Sequence, residues 1–369
     1  MKAVALVNKN FFNKKNNNNI YNVNLSGVNL NCGVVDIPKP HFDNKHYKND
    51  NYVLIRVLSF SCNYRDKGII LKSALRMNSG NTYNQMPVSF FGSDFVGIVE
   101  EIGKNVSRFN IGDRVIPNCS YPKADNDTAA PGVVTNEASK GWLRINEAKL
   151  IAIDDSMDDD IAAGFSIGGQ TSESMIRRTH IHEGQKALVL SARSNTSLFI
   201  INGLLKRNID TTIMSTTDWS SEELSIVNGA HYIKISRNSK CWPDDIGKFD
   251  VIFDPFFDLH LSDAVKHLNI NGRYITCGYK NQHDNFKEST DYLHENNLSR
   301  IMIQSMINNL SIMGNCIGTT EDLKRAISKY SRSMKPFRIY DTLSSESIDK
   351  FINETYNLRQ RFGKVIMKY

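Results

Sequence analysis

From residue 186 onward, short β-type runs alternate with runs of helical spacing, and this alternation limits the possible folds more than any other feature of the chain. "KALVLSA", "TTIMSTT", "YIKIS", "FDVIFDPF" and "GRYITCG" read as strands, and "TSLFIINGLLKR", "SEELSIVNGA" and "LSDAVKHLN" as helices among them. Strands separated by helices predict a parallel, doubly wound sheet. The stretch "DDDIAAGFSIGGQTSESMIRRTH" leads in as one helix, acidic at its start and basic at its end, as the helix dipole favours.

The first 150 residues have a different rhythm. "YVLIRVLSFS" and "DFVGIVEEIG" are strand-like, "DRVIPN" follows a Gly-Asp turn, and loops rich in Gly, Asn and Pro lie between. The Asn-rich "NKKNNNNIYNVNLSGVNLNCG" reads as a solvated loop or hairpin. A chain of 369 residues is long for one core. Three segments are expected: a β-rich domain over 1–155, a βα-alternating domain over 156–320, and a return to the first domain over 321–369.

Composition narrows the function classes. No apolar run approaches the roughly 18–20 residues that span a bilayer, and "MKAVALVNKNFF" is too short in apolar residues for a secretory signal. A cytoplasmic protein with no membrane partner is expected. The formal charge of +6 is not gathered in one block and does not argue for nucleic acid. Cys32, Cys62, Cys119, Cys241, Cys277 and Cys316 are scattered without a Cys-x-x-Cys pair, which reads as reduced thiols.

This order of lobes, with its local motifs, resembles the medium-chain dehydrogenase/reductase family. "SFFGSDFVGIVEEIGKNVSRFNIGDRV" is similar to the stretch around that family's Gly-His-Glu motif and later Gly-Asp-Arg-Val turn. "SCNYRD" is similar to a motif of its zinc-free quinone and enoyl reductase branch. "IAAGFSIGGQTSESMI" resembles the helix before the cofactor strand, and "RFGKVIMKY" the closing strand. The resemblance implies an α/β chain with a GroES-like β-rich catalytic domain and a Rossmann doubly wound domain. It further implies an NAD(P)H-dependent oxidoreductase, and a homodimer through the edge strand "LSIMGNC".

Zinc-dependent members hold catalytic zinc through a Cys, a His-Glu pair and a further Cys or His. On this chain those positions become Asn63, Ser93-Asp94 and the neighbourhood of Ile167. Cys62 is one residue early and points to the other side of its strand. The four-cysteine structural lobe is replaced by "YPKADNDTAAPGVVTNEASKGW". No zinc is expected, a zinc-type alcohol dehydrogenase being the alternative. Without a Lewis acid the substrate must accept hydride unaided. A C=C conjugated to a carbonyl does so, taking hydride at Cβ and a proton at Cα. Tyr64 is the candidate proton donor or enolate anchor, its other reading being a packed strand-end tyrosine. Asn63 would orient the nicotinamide or the substrate carbonyl, and Ser93 and Asp94 would line the same cleft. Arg65 and Asp66 read as a structural ion pair.

In the zinc-free branch the first turn of the nucleotide lobe is rich in glycine. Here it is Ser191-Ala192-Arg193-Ser194-Asn195-Thr196-Ser197, with Ser191, Ser194, Asn195 and Ser197 where glycines reach positive φ and admit phosphate. Asn and Ser are the nearest substitutes. The hydroxyls of Ser194, Thr196 and Ser197, beside a helix N-terminus, are expected to bind phosphate oxygens. Arg193 suits a diphosphate or a 2′-phosphate. The next strand ends in Ser215-Thr216, without the acid that grips ribose in NAD enzymes, and Asp218 comes late, so NADPH is expected over NADH. Asp254-Pro255 and Cys277-Gly278 fall at further strand ends, where adenosine and nicotinamide contacts are expected, and the resemblance adds Thr171 and Lys364. Nothing marks a base beside Cys277, so it is not read as a reactive thiol. The other reading of the turn is a lobe without nucleotide affinity, on a non-catalytic scaffold.

"SCNYRD", "APGVVTNEASKGW" and "SARSNTSLF" together resemble lanthipeptide reductases that convert dehydroalanine to D-alanine. That resemblance implies a peptide substrate with an activated alkene. The insert at 120–142 would then shape a wide cleft mouth, or else be a surface loop. A small-molecule alcohol or quinone oxidoreductase is the alternative.

Overall fold

The structure is a computed structural model describing residues 1–10, 20–78, 86–236, 242–280, 298–330, 338–342 and 347–369. In chain order the first elements are β1 (Lys2–Val7), β2 (Ile20–Leu25), β3 (Val28–Asp36), β4 (Tyr52–Ser61), α1 (Asp66–Asn78), β5 (Val88–Ser89), β6 (Asp94–Ile102), β7 (Arg114–Pro117), β8 (Trp142–Asn146), β9 (Leu150–Ala152) and α2 (Asp159–Ala162). Then come α3 (Ser166–Thr179), β10 (Lys186–Val189), α4 (Asn195–Leu205), β11 (Asp210–Ser215), α5 (Ser221–Ile226), β12 (His231–Lys234), β13 (Phe249–Asp254), α6 (Phe257–Ala264), β14 (Leu268–Thr276), α7 (Leu298–Ile307), β15 (Ser311–Gly314) and α8 (Thr320–Ser328). The chain closes with β16 (Arg338–Asp341), α9 (Ser347–Tyr356) and β17 (Val365–Lys368).

Two compact units result: residues 1–167 with 335–369, and residues 168–334. The divisions expected at 156 and 321 lie further along the chain, for a packing reason. Ser61 Oγ donates to Ala163 O at 2.8 Å and Ile167 N to Asp94 Oδ1 at 3.2 Å, which ties residues 163–167 to the β-rich unit. The Arg177 guanidinium grips Asp322 through two bonds of 2.8 and 2.9 Å, which holds α8 in the second unit.

The β-rich unit contains a four-stranded sheet, β2-β3-β1-β5, and a seven-stranded one, β16-β17-β4-β6-β7-β9, in which β8 also pairs with β4. β4 is apolar on both faces because Ile55, Val57 and Phe60 all lie in the core. Its antiparallel register with β6 sets Ser61 opposite Asp94. The Asn-rich stretch forms the β2–β3 hairpin from Ile20 onward, and its residues 13–19 lie outside the described residues. The 120–142 insert is anchored rather than loose: the Lys149 ammonium donates to Ala130 O at 2.7 Å and to Gly132 O at 2.5 Å.

The expected single lead-in helix is two, α2 and α3, broken at residues 163–165. Two observations account for the break. Ser61 draws the Ala163 carbonyl to itself, and a Cβ at Gly164 would lie 2.9 Å from Lys364 Cγ, so backbone there runs against a buried side chain.

The second unit has one six-stranded sheet in the order β12-β11-β10-β13-β14-β15, with every neighbouring pair parallel. The strand order reverses between β10 and β13, so their carboxyl ends flank the crevice where such sheets bind ligands. The described cysteines, Cys32, Cys62, Cys119, Cys277 and Cys316, are free thiols. Among the described residues no helix is long and apolar enough to cross a membrane.

Candidate functional site

In the β-rich unit the turn after β4 folds into a closed polar network. The Asn63 amide nitrogen donates to Ser93 Oγ at 3.0 Å and to Asp94 Oδ2 at 2.8 Å. Ser93 Oγ donates to Asp66 Oδ2 at 2.6 Å, and Asn63 N donates to the same oxygen at 2.8 Å. The Lys364 ammonium, brought in just before β17, donates to Asn63 Oδ1 at 2.7 Å and Cys62 O at 2.8 Å, and lies 3.6 Å from Asp94 Oδ2. The side chain of Asp94 is 0% exposed and that of Lys364 8%. Arg65 pairs with Asp66 Oδ1 at 2.9 Å, as expected, and also holds Asn136 Oδ1 at 2.8 Å, which links the insert to this turn.

Burial drives the charge states here. It pushes the Asp66 carboxyl above its ordinary 3.8, against hydrogen bonds from Ser93 and Asn63 and the charges of Arg65 and Lys364. It pulls the Lys364 ammonium below 10.5, against the attraction of Asp94 and Asp66. The Cys62 thiol is held well above 9.0, first by burial and then by Asp66.

The structure brings Asn63, Ser93 and Asp94 together in one hydrogen-bonded group. Asn63, expected to orient the nicotinamide or the substrate carbonyl, has both amide hydrogens and its oxygen engaged within the protein. Lys364, expected at the cofactor, has its ammonium on Asn63, Cys62 and Asp94. Tyr64 is half-buried, as are Asn63 and Arg65 on either side of it. The backbone just before it is fixed: Cys62 O by Lys364, Asn63 N by Asp66, and Asn63 O by the Tyr356 hydroxyl at 3.2 Å. Nothing in the periodicity pointed to Lys364 or Tyr356 as partners of this turn.

These residues do not fit a catalytic zinc. An amide, a hydroxyl and one carboxylate occupy the ligand positions, and an ammonium already lies on two of their oxygens. Among the described residues no group of three or more His, Cys, Asp or Glu could hold a metal.

The second unit gathers the remaining candidates at the carboxyl edge of its parallel sheet. Ser191 follows β10 with φ of 46°, the left-handed conformation that a glycine would supply, and its carbonyl accepts from Ser194 N at 2.8 Å to close a turn. Ala192 is buried, with its N–H on Met214 O. Ser194 is the N-cap of α4, accepting from Ser197 N, and Asn195 is the first helical residue rather than a positive-φ substitute. The Ser197 hydroxyl is buried and donates to Leu190 O at 2.9 Å, and Ser194 Oγ donates to Ser197 Oγ at 2.9 Å. Two of the three hydroxyls expected for phosphate thus serve the loop itself. Thr196 keeps its amide and hydroxyl unengaged among the described residues, at the helix N-terminus.

Arg193, expected to bind phosphate, is paired within the protein. Its guanidinium grips Glu223 through two nitrogens, one at 2.9 Å from Oε2 and the other on Oε1, and its Nη1 also donates to Asp218 O at 3.1 Å. Ser215 Oγ serves its own turn, accepting from Thr217 N at 3.2 Å, and Thr216 follows it at the strand end. Asp254, expected as a cofactor contact, is fully buried: Oδ1 accepts from Phe256 N at 2.8 Å and lies 2.9 Å from His260 Nδ1, and Oδ2 accepts from Tyr274 OH at 2.5 Å. Cys277 has its thiol pushed up to about 12 by burial and by Asp254, so it carries no thiolate near neutral pH. Gly278 follows, and a Cβ there would lie 2.9 Å from Pro255 O. Thr171 is buried within α3.

Comparison with known proteins bears on the fold. A model of the alcohol dehydrogenase GroES-like domain matches residues 49–153. Acryloyl-coenzyme A reductase of Sulfurisphaera tokodaii is 22% identical over 337 residues, 86% of this chain and 92% of that protein. Probable polyketide synthase 14 of Dictyostelium discoideum is 23% identical over 338 residues, 88% of this chain, which spans only 11% of that protein's length. Among solved structures, an NAD-dependent alcohol dehydrogenase superposes with a TM-score of 0.70 at 16% identity, covering 100% of both chains. The quinone oxidoreductase of Coxiella burnetii gives 0.65 at 16% identity, covering 100% of this chain and 99% of that one.

Proposed function

We propose that the chain, which resembles the medium-chain dehydrogenase/reductase family, is a nicotinamide-dependent oxidoreductase that reduces an activated C=C without zinc. The observation that carries this reading is the Lys364 ammonium lodged among the oxygens of Asn63, Cys62 and Asp94, where a metal-dependent relative would need open ligands. Acryloyl-coenzyme A, named in one relative, contains a C=C conjugated to a carbonyl.

The turn Ser191–Thr196, the N-terminus of α4, Ser215-Thr216 and Gly278 are the groups that would hold the dinucleotide. When bound, it supplies hydride to the substrate's Cβ. Tyr64, presented by its fixed backbone, gives a proton at Cα or holds the enolate oxygen. The finer substrate reading, a dehydroalanine residue in a peptide, is supported by the motif resemblance and by the Arg65–Asn136 link from the insert to the Tyr64 turn. A homodimer is supported by the apolar side chains of Met306, Ile307 and Ile312, exposed on α7 and the edge strand β15.

The test incubates the protein with reduced nucleotide and either an acryloyl thioester or a dehydroalanine peptide, and follows mass. A gain of two hydrogens is expected, and Tyr64→Phe should slow it about a hundredfold with nucleotide binding retained. Oxidation of nucleotide by free quinones or aldehydes, with neither alkene reduced, would refute the proposal.

A further inference from the structure

The sequence places no acid at the end of β11, yet the fold supplies one. Glu223 is the third residue of α5, and its carboxylate takes part in a capping box by accepting from Ser220 N at 2.8 Å. The same carboxylate holds both terminal nitrogens of Arg193, which reaches over from the β10–α4 turn. The Trp219 ring lies 5.6 Å from the guanidinium carbon, and the pair is largely shielded, with side-chain exposures of 11% and 20%. The other charged groups nearby cancel: Asp218 pairs with Lys234 at 2.6 Å.

We propose that Glu223 sets the nucleotide specificity of this edge, by occupying the guanidinium fork that a 2′-phosphate would require. The inference rests on nucleotide binding at this sheet edge, and it reverses the NADPH expectation. A fork–fork pair is the preferred geometry of guanidinium with either carboxylate or phosphate, so the two anions compete for one donor set. A 2′-phosphate must displace Glu223 and then sit beside a carboxylate without its counter-ion. A ribose 2′-hydroxyl carries no such conflict. NADH is therefore the preferred ligand, with Arg193 bracing the adenosine side of the loop rather than reading phosphate.

Equilibrium titration of the full chain with NADH and with NADPH tests this, using wild type, Glu223→Gln and Arg193→Ala. Wild type should bind NADH at least as tightly as NADPH. Glu223→Gln should tighten NADPH roughly tenfold, the scale of one charge-assisted hydrogen bond, while NADH changes less than about twofold. Arg193→Ala should then remove the gain in the double variant. Wild-type preference for NADPH, or equal changes for both nucleotides in Glu223→Gln, overturns the inference and leaves the oxidoreductase reading standing. Binding of neither nucleotide to wild type sinks that reading too.

Discussion

The two units meet the same problem, a motif that lacks the usual residues of the one it resembles, and solve it differently. In the β-rich unit the substitutes satisfy one another completely: Asn63, Ser93, Asp94, Asp66 and Lys364 form a buried cluster with each amide and carboxylate engaged. In the second unit the hydroxyls of Ser194 and Ser197 also turn inward, yet they leave the start of α4 at the sheet edge with Thr196 unengaged. A site that has closed on itself positions a neighbour, here Tyr64. A site that closes only its frame can still receive an anion.

The largest effect should come from opening the closed cluster. Lys364→Met leaves the Asp94 carboxylate buried without its cation, which should cost about 3–5 kcal/mol of unfolding free energy. Urea denaturation at pH 7 measures it. A loss below about 1 kcal/mol, the scale of an exposed pair, would show that the cluster is not an interdependent unit.

Acidification separates the two units by sign. Burial raises Asp66 above 3.8, so as pH falls through its folded value toward 3.8 the native state takes up a proton that the unfolded chain does not yet hold, and the cost of the buried charge is relieved. Asp322 behaves oppositely. Burial opposes ionisation, but the hydrogen bonds from Arg177 and Thr319 outweigh it and hold the carboxyl below 3.8. Its stabilisation is complete above 3.8 and lost as pH falls through the lower folded value. Asp322→Asn should thus cost about 1–3 kcal/mol at pH 7 and progressively less toward pH 3. Thermal melts across that range check it, and a cost independent of pH would remove the Arg177 pair as the cause.

What the sequence disclosed follows a pattern. Periodicity located the parallel strands, because burial on both faces of β10 and β13 enforces continuous apolar runs. Motif order located Asn63, Ser93 and Asp94, because the register of β4 with β6 sets them side by side. Partners contributed from remote segments were not legible. Lys364 lies 301 residues from Asn63, just before a strand whose pattern says only that it is buried. His260 and Tyr274 turn Asp254 inward, although its place at a strand end marked it for a ligand. Glu223 did carry a local signal, the Ser-x-x-Glu spacing from Ser220 that announces a capping box. Its pairing with Arg193 did not.

The smallest effect tests the frame of the open site. Ser191 holds φ of 46° without glycine's freedom, a conformation that costs an L-residue on the order of 1–2 kcal/mol. Glycine would relieve that strain but add unfolded-state entropy of about 0.5–1 kcal/mol, so Ser191→Gly should stabilise by up to about 1 kcal/mol. A β-branched residue has neither advantage, and Ser191→Val should destabilise by a similar amount. Denaturation curves of the two variants should move to opposite sides of wild type. Equal destabilisation by both would mean that the Ser191 side chain, rather than its backbone conformation, is what the turn requires.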